Sequence, residues 1–239
     1  MNVTLTINGL ITQAFFPQHD IGQLHLPLLQ RFSAQQRQLH RPLIVFLVAP
    51  PGTGKSTLSA FWQTLSTETA GLVPVQTLPM DGFHRRNAWL DAHHLRQKKG
   101  AAETFDVDKL RDALIDLRTP GSRWPEYSRT LHEPVEDAIH VTAPVLIVEG
   151  NWLLLKDEGW RELASYCDLS IFIHASPDDL RGRLIDRKIR GGLTPQQAGD
   201  FYAATDGPNV TRVLEDSRQA DIMLEMTSDG SYHMQVYKK

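Results

Sequence analysis

The chain has 239 residues, 41% of them hydrophobic, which is enough for a substantial core without division into independent domains. Its 25 Lys and Arg against 28 Asp and Glu give a formal charge of −3 with no basic tail, which does not point to general nucleic-acid binding but leaves room for a local phosphate pocket. Cys167 is the single cysteine, so no internal disulfide or multi-cysteine metal centre can be built, and the ten histidines show no ligand-like spacing.

No basic segment leads into an apolar run long enough for secretion, and no stretch approaches a membrane span. A cytoplasmic protein without membrane insertion is the expectation. On that basis the glycosylation patterns at Asn2-Val-Thr4 and Asn209-Val-Thr211 are coincidences.

Val3, Leu5 and Ile7 alternate with polar residues and predict a short strand. Pro27 opens a helix with Leu28, Phe32 and Leu39 on one face, and Pro42 restarts the chain before the buried strand Leu43-Ile-Val-Phe-Leu-Val48. That strand runs directly into Ala49-Pro-Pro-Gly-Thr-Gly-Lys-Ser-Thr57. Gly52 and Gly54 permit backbone angles at which successive N–H groups converge on phosphate oxygens. Pro51, Thr53 and Thr57 complete the cradle, Lys55 supplies a mobile positive charge, and the Ser56 hydroxyl is placed to join Mg²⁺. From Lys55 to about Leu65 a helix is predicted, with Leu58 and Phe61 or Trp62 inward and its N-terminal dipole facing the same anion. The usual pattern starts with glycine where this chain has Ala49.

Leu72 to Leu78 reads as a strand whose Pro74 argues for an edge position or an irregular start. It points into Met80-Asp-Gly-Phe-His84. Val107 to Leu117 carries leucines at helical spacing, and a turn at Thr119-Pro-Gly121 precedes a polar segment from Trp124 to Asp137. Pro144 to Val148 and Leu169 to Ile173 are further buried-strand candidates, the first ending at Glu149-Gly150 and the second preceding a Ser176 helix cap. The helix through Arg190 ends at Gly191-Gly192, a second starts at Pro195, and a turn at Asp206-Gly-Pro208 leads to a third through Leu214. Ala220 to Met226 and Tyr232 to Val236 are the final strand candidates, turning at Asp229-Gly230. Strands alternating with helices, with polar groups at the strand ends, predict a mostly parallel α/β sheet with a ligand crevice.

Asp81, at a strand end, is suited to orient a substrate hydroxyl or accept its proton. His84 is a candidate for recognising a polar substrate, and Glu149 for holding the metal or its water. Lys99 is a candidate for neutralising phosphate charge, and Arg129, after Tyr127-Ser128, for clamping a substrate hydroxyl or anion. Arg181, Arg183, Arg187 and Arg190 form a basic helical series; Arg183 and Arg187, four apart, share a face and form the preferred lid pair. Each of these residues also has a plainer reading as a turn, cap or solvated surface group.

Together, the phosphate loop, Asp81-Gly-Phe-His84, Lys98-Lys-Gly100, Tyr127-Ser-Arg129 and Glu149-Gly150 resemble the phosphoribulokinase, uridine kinase and bacterial pantothenate kinase superfamily, from about Arg41 to Met226. The chain is also similar to nucleoside- or sugar-kinase-like proteins, including kinases associated with fructose transport. The resemblance implies a P-loop NTPase fold and ATP-dependent phosphorylation of a small-molecule hydroxyl. It gives Asp81 the catalytic or substrate-orienting role, Lys99 that of the lysine in the substrate-side insertion, and Arg183 or Arg187 that of the lid arginine. Tyr127 and Arg129 fall on the substrate side, although the pantothenate branch has histidine where this chain has Arg129. One kinase domain over 1–239 is expected, with substrate-side insertions at 82–137 and a lid with its following helices at 177–216. ATP, Mg²⁺ and a small hydroxyl substrate are the expected ligands, and a homodimer stays open. The competing readings are an accessory P-loop ATPase and an inactive nucleotide-binding interaction protein.

Overall fold

Leu43 to Val48 offers no polar side chain to either side of its pleat, so the strand it forms is covered on both faces and paired along both edges. The structure is a computed structural model and describes residues 1–7 and 9–235. A hairpin of β1 (Asn2–Ile7) and β2 (Leu10–Phe15) leads through α1 (Gln18–Asp20) and a π-helical turn, Ile21–His25, into α2 (Leu26–Gln38). Next come β3 (Leu43–Val48), α3 (Lys55–Glu68), β4 (Val75–Pro79), α4 (Asn87–Ala92) and α5 (Val107–Asp116). A second hairpin, β5 (Arg123–Ser128) and β6 (Glu133–His140), precedes β7 (Val145–Gly150) and β8 (Leu169–Ala175). The chain finishes with α6 (Pro177–Arg190), α7 (Pro195–Phe201), α8 (Gly207–Asp216), β9 (Ile222–Met226) and β10 (Tyr232–Met234).

The main sheet has the order β10-β9-β8-β3-β7-β4, parallel except for β10. From the central β3 the chain crosses to β4 on one side and later to β8 on the other, which opens a crevice at the carboxyl end of β3. Register puts the functional ends level: Leu47 and Pro79 both pair with Glu149, so the loop after β3, the Met80-Asp81 step after β4 and the acid on β7 emerge in one row.

Alternate residues of each strand feed two cores. Val45, Leu47 and Ile147 face α2, α3 and the N-terminal hairpin, while Ile44, Phe46 and Val148 face the side of α5, Trp124 and Trp152. Phe16 stacks on Phe61 with ring centroids 3.7 Å apart, and Trp62 donates to His25 at 3.0 Å. These contacts fasten the first hairpin and the π-turn to α3.

The α/β class, the parallel sheet and most of the expected elements are present. Pro74 precedes β4, and β4 is indeed an edge strand. Four features differ from expectation. β2 was not anticipated, and the polar segment from Trp124 to Asp137 is largely the β5–β6 hairpin, pinned by Trp124, which is fully buried and donates to the Pro79 carbonyl at 2.9 Å. Asp206-Gly-Pro208 is not a turn: a π-helical segment, Tyr202–Asp206, carries α7 into α8, with Pro208 tolerated in the first turn of α8. Ser176 does occupy the N-cap position of α6, but its side chain makes no capping hydrogen bond. The last strand ends at Met234 and does not include Gln235, and Val236 lies outside the described residues. Among the described residues, no helix is long and apolar enough to cross a membrane.

Candidate active site

The loop after β3 turns through two left-handed glycines, Gly52 at φ +91° and Gly54 at φ +80°. Gly54 is also the N-cap of α3 and so brings no side chain to cap it, leaving the first-turn N–H groups of this 14-residue helix without side-chain partners. Lys55 and Ser56 open the helix and meet Glu149, which β7 delivers alongside. The Ser56 hydroxyl donates to Glu149 Oε1 at 2.7 Å, and Lys55 Nζ lies 3.9 Å from Oε2. Burial pushes the Glu149 carboxyl above its ordinary pKa; Lys55 pulls it back, and the nearby Asp81 charge adds to the rise.

Asp81 follows β4 in a short 3₁₀ turn, Met80–Phe83. His84 Nδ1 lies 2.8 Å from the Asp81 carbonyl, which can only accept, so Nδ1 carries the proton and Nε2 is left as an acceptor. Burial holds His84 below its ordinary pKa and hence neutral near pH 7. Its ring lies against Phe105 and Tyr127, with centroids 3.9 and 5.1 Å away. Lys99 Nζ donates to Asn87 Oδ1 at 2.7 Å and to the His132 carbonyl at 2.9 Å, 4.9 Å from the Tyr127 ring centre, and burial lowers its pKa. With two N–H groups committed, one donor remains. Arg129 makes no hydrogen bond or ion pair with another side chain among the described residues, although its charge reaches His84, Tyr127 and Glu149.

A single cleft of about 940 Å³ is lined by Pro51, Gly52, Gly54, Lys55, Ser56, Thr57, Asp81, His84, Lys99, Tyr127, Arg129, Arg183 and Arg187, residues drawn from segments far apart in sequence. Thr53 does not line it: its side chain is buried, and its hydroxyl donates to the Pro50 carbonyl at 3.0 Å. Glu149 lines an adjoining cavity of about 420 Å³ that shares Ser56 and Ile7 with the cleft. Arg181 is not among the residues lining the cleft and lies over the Tyr202 ring, 5.8 Å from its centre.

Sequence reasoning missed six contributors. Ile7, Leu10 and Thr12 bring the N-terminal hairpin to the cleft wall, and the buried Asn151 Oδ1, which has no hydrogen-bond partner, belongs to another lining residue. Asp186 lines the cleft with the α6 arginines Arg183, Arg187 and Arg190, and Tyr232 donates to the Thr53 carbonyl of the loop. Asn151, two residues after Glu149, was within reach of a motif reading; nothing local marked the others.

The set fits a magnesium-bound triphosphate. Mg²⁺ takes few protein ligands, all oxygen, and completes its shell with phosphate and water, which suits the Ser56 hydroxyl and Glu149 carboxylate beside a glycine cradle. No group of three or more His, Cys, Asp or Glu arranged to hold a metal occurs among the described residues.

A parallel sheet whose central strand ends in a glycine cradle, with a lysine, a hydroxyl and a carboxylate at its rim, defines a P-loop phosphate-binding protein. No protein-family model matches the chain. It is 58% identical over 234 residues to "Uncharacterized protein YggC" of Escherichia coli (strain K12), covering 98% of this chain and 99% of that one. It is 30% identical over 194 residues to "Putative uridine kinase C227.14" of Schizosaccharomyces pombe, covering 77% and 83% of the two chains. Among solved structures it is similar to a "putative fructose transport system kinase from Silicibacter sp. TM1040", with a TM-score of 0.78 and 29% identity, covering 84% of this chain and 99% of that one. The chain belongs to the P-loop kinase superfamily related to uridine, pantothenate and fructose-transport kinases.

Proposed function

We propose that the protein is an ATP-dependent phosphotransferase that moves the γ-phosphoryl group to a hydroxyl of a small metabolite of the sugar, nucleoside or pantothenate-like class. The observation that carries this reading is the meeting of Lys55, Asp81, Arg129, Arg183 and Arg187 on one cleft, which provides for a triphosphate and an acceptor together. Relatives named for uridine, pantothenate and fructose transport support the same range of acceptors.

The loop N–H groups and Lys55 hold the β- and γ-phosphates, and Ser56 with Glu149 would hold Mg²⁺, which would neutralise phosphate charge. Asp81 aligns the acceptor hydroxyl and takes its proton as the oxygen bonds to phosphorus. Neutral His84, through Nε2, and Tyr127 read the acceptor's polar groups, Arg129 clamps it, and Lys99 fixes the Asn87–His132 wall beside it. Arg183 and Arg187 close over the phosphates and exclude water that competes as acceptor. In this reading 1–239 acts as one kinase domain in the cytoplasm, with 82–137 on the acceptor side and 177–216 as the lid.

A mass-resolved screen of ATP against the three acceptor classes tests the proposal, with Asp81→Asn as the informative variant. The wild type should yield a product heavier by one phosphoryl group. The variant should bind ATP within about twofold of wild type and form product at least about 100-fold more slowly, the usual range for a lost general base. Unchanged turnover removes Asp81 from the mechanism, and phosphate release without a phosphorylated acceptor makes the protein an ATPase.

A further inference from the structure

Among the described residues, the antiparallel strand β10 pairs only with β9 at the edge of the sheet, yet one of its side chains reaches the phosphate loop. Tyr232, 7% exposed, donates its phenol hydrogen to the Thr53 carbonyl at 2.7 Å. In a trans peptide the carbonyl and the following N–H point in opposite directions. Holding the Thr53 carbonyl on the β10 side therefore turns the Gly54 N–H away from Tyr232, and Gly54 lines the cleft.

Two further observations tie the same hairpin to the site. A Cβ at Gly54 would lie 2.9 Å from the Tyr232 hydroxyl oxygen, so the phenol occupies the space a side chain there needs, beyond the demand of φ +80°. At the β9–β10 turn, a Cβ on Gly230 would lie 3.2 Å from an Arg183 guanidinium nitrogen, so the turn backbone abuts the lid. Burial pushes the Tyr232 phenol up to about 12, which keeps it a donor throughout neutral pH.

We propose that Tyr232 is a positioning residue for the triphosphate: its phenol fixes the Thr53–Gly54 peptide so that the loop presents its N–H to a phosphate oxygen. This rests on the reading of the loop as a triphosphate site. The residue touches no reacting atom and acts through the backbone it restrains.

Tyr232→Phe removes one O–H and keeps the ring, so folding should survive; melting without nucleotide checks this, and binding is measured far below the melting point. One neutral hydrogen bond, worth about 1 kcal/mol, corresponds to roughly fivefold in affinity. Calorimetry should show Mg-ATP and inorganic tripolyphosphate each binding about fivefold more weakly to Tyr232→Phe. In turnover with an acceptor, KM for ATP should rise while kcat stays within about twofold. Wild-type affinity for both probes, or a loss confined to ATP, overturns the proposal, because the hydroxyl would then not act on the phosphate cradle. Lys55→Ala separates the two readings. If it loses both probes while Tyr232→Phe binds normally, only the positioning role falls; if it binds tripolyphosphate like wild type, the triphosphate site falls as well.

Discussion

Glu149 is buried to 5% exposure in a place where a carboxylate is costly, beside a lysine that partly compensates it. Its folded pKa is raised, so between the ordinary carboxylate value and that higher one the native state holds a proton the unfolded chain has released. Stability therefore falls as pH rises through that window. Glu149→Gln should flatten this dependence in urea melts compared at pH 5 and pH 8, while lowering phosphoryl transfer by about 100-fold or more. A slope identical to wild type would show that the carboxyl titrates alike in both states. At this scale the loop was legible because its chemistry is local: Gly52, Gly54, Lys55 and Ser56 serve the cradle through conformation and position in the chain. Thr53 stands in the same loop, but its side chain turns to Pro50, so only its backbone is available to the site.

The proposed lid rests on one helix. Arg183, Arg187 and Arg190 line the cleft from α6 with Asp186 and Lys188, whereas Arg181 is turned to Tyr202. Spacing of four residues places Arg183 and Arg187 on one face of the helix. Arg183→Ala and Arg187→Ala should each reduce kcat by about 10- to 1000-fold, as expected when a donor to developing charge is lost. ATP hydrolysis per product formed should rise. If neither variant alters kcat or coupling, α6 is an ordinary charged helix. Elements with a polar exterior were harder to read. β6 is exposed along Val135 to Ala138, so it carries no alternation, and its partner β5 buries Trp124 and Pro125. The π-helical step at Tyr202–Asp206 was likewise hidden, because Gly-Pro after an aspartate has the composition of a turn.

Across the whole molecule, the N-terminal hairpin does two jobs. Val3, Leu5 and Phe16 pack into the core beside α3, and Ile7, Leu10 and Thr12 from the same hairpin line the cleft. Leu5 is 2% exposed, so Leu5→Ala should cost about 2–4 kcal/mol in chemical denaturation. A cost below about 1 kcal/mol would mean that the hairpin is only loosely docked.

By itself the sequence determined the α/β alternation, the central apolar strand, the glycine cradle with its lysine and hydroxyl, and the carboxylates at the strand ends. Each of these is written in near-neighbour spacing: period two for buried strands, helical period for faces, and fixed offsets for the loop. Only the tertiary structure decided that β4 and β7 end level with β3, which brings Glu149 to Lys55 and Asp81 into the same cleft, and that Ile7, Leu10 and Thr12 line that cleft together with Arg183 and Arg187. It also brought Tyr232 to a carbonyl 179 residues away. Strand order and register arise from the summed burial of two cores, a quantity spread over the whole chain that no local window contains.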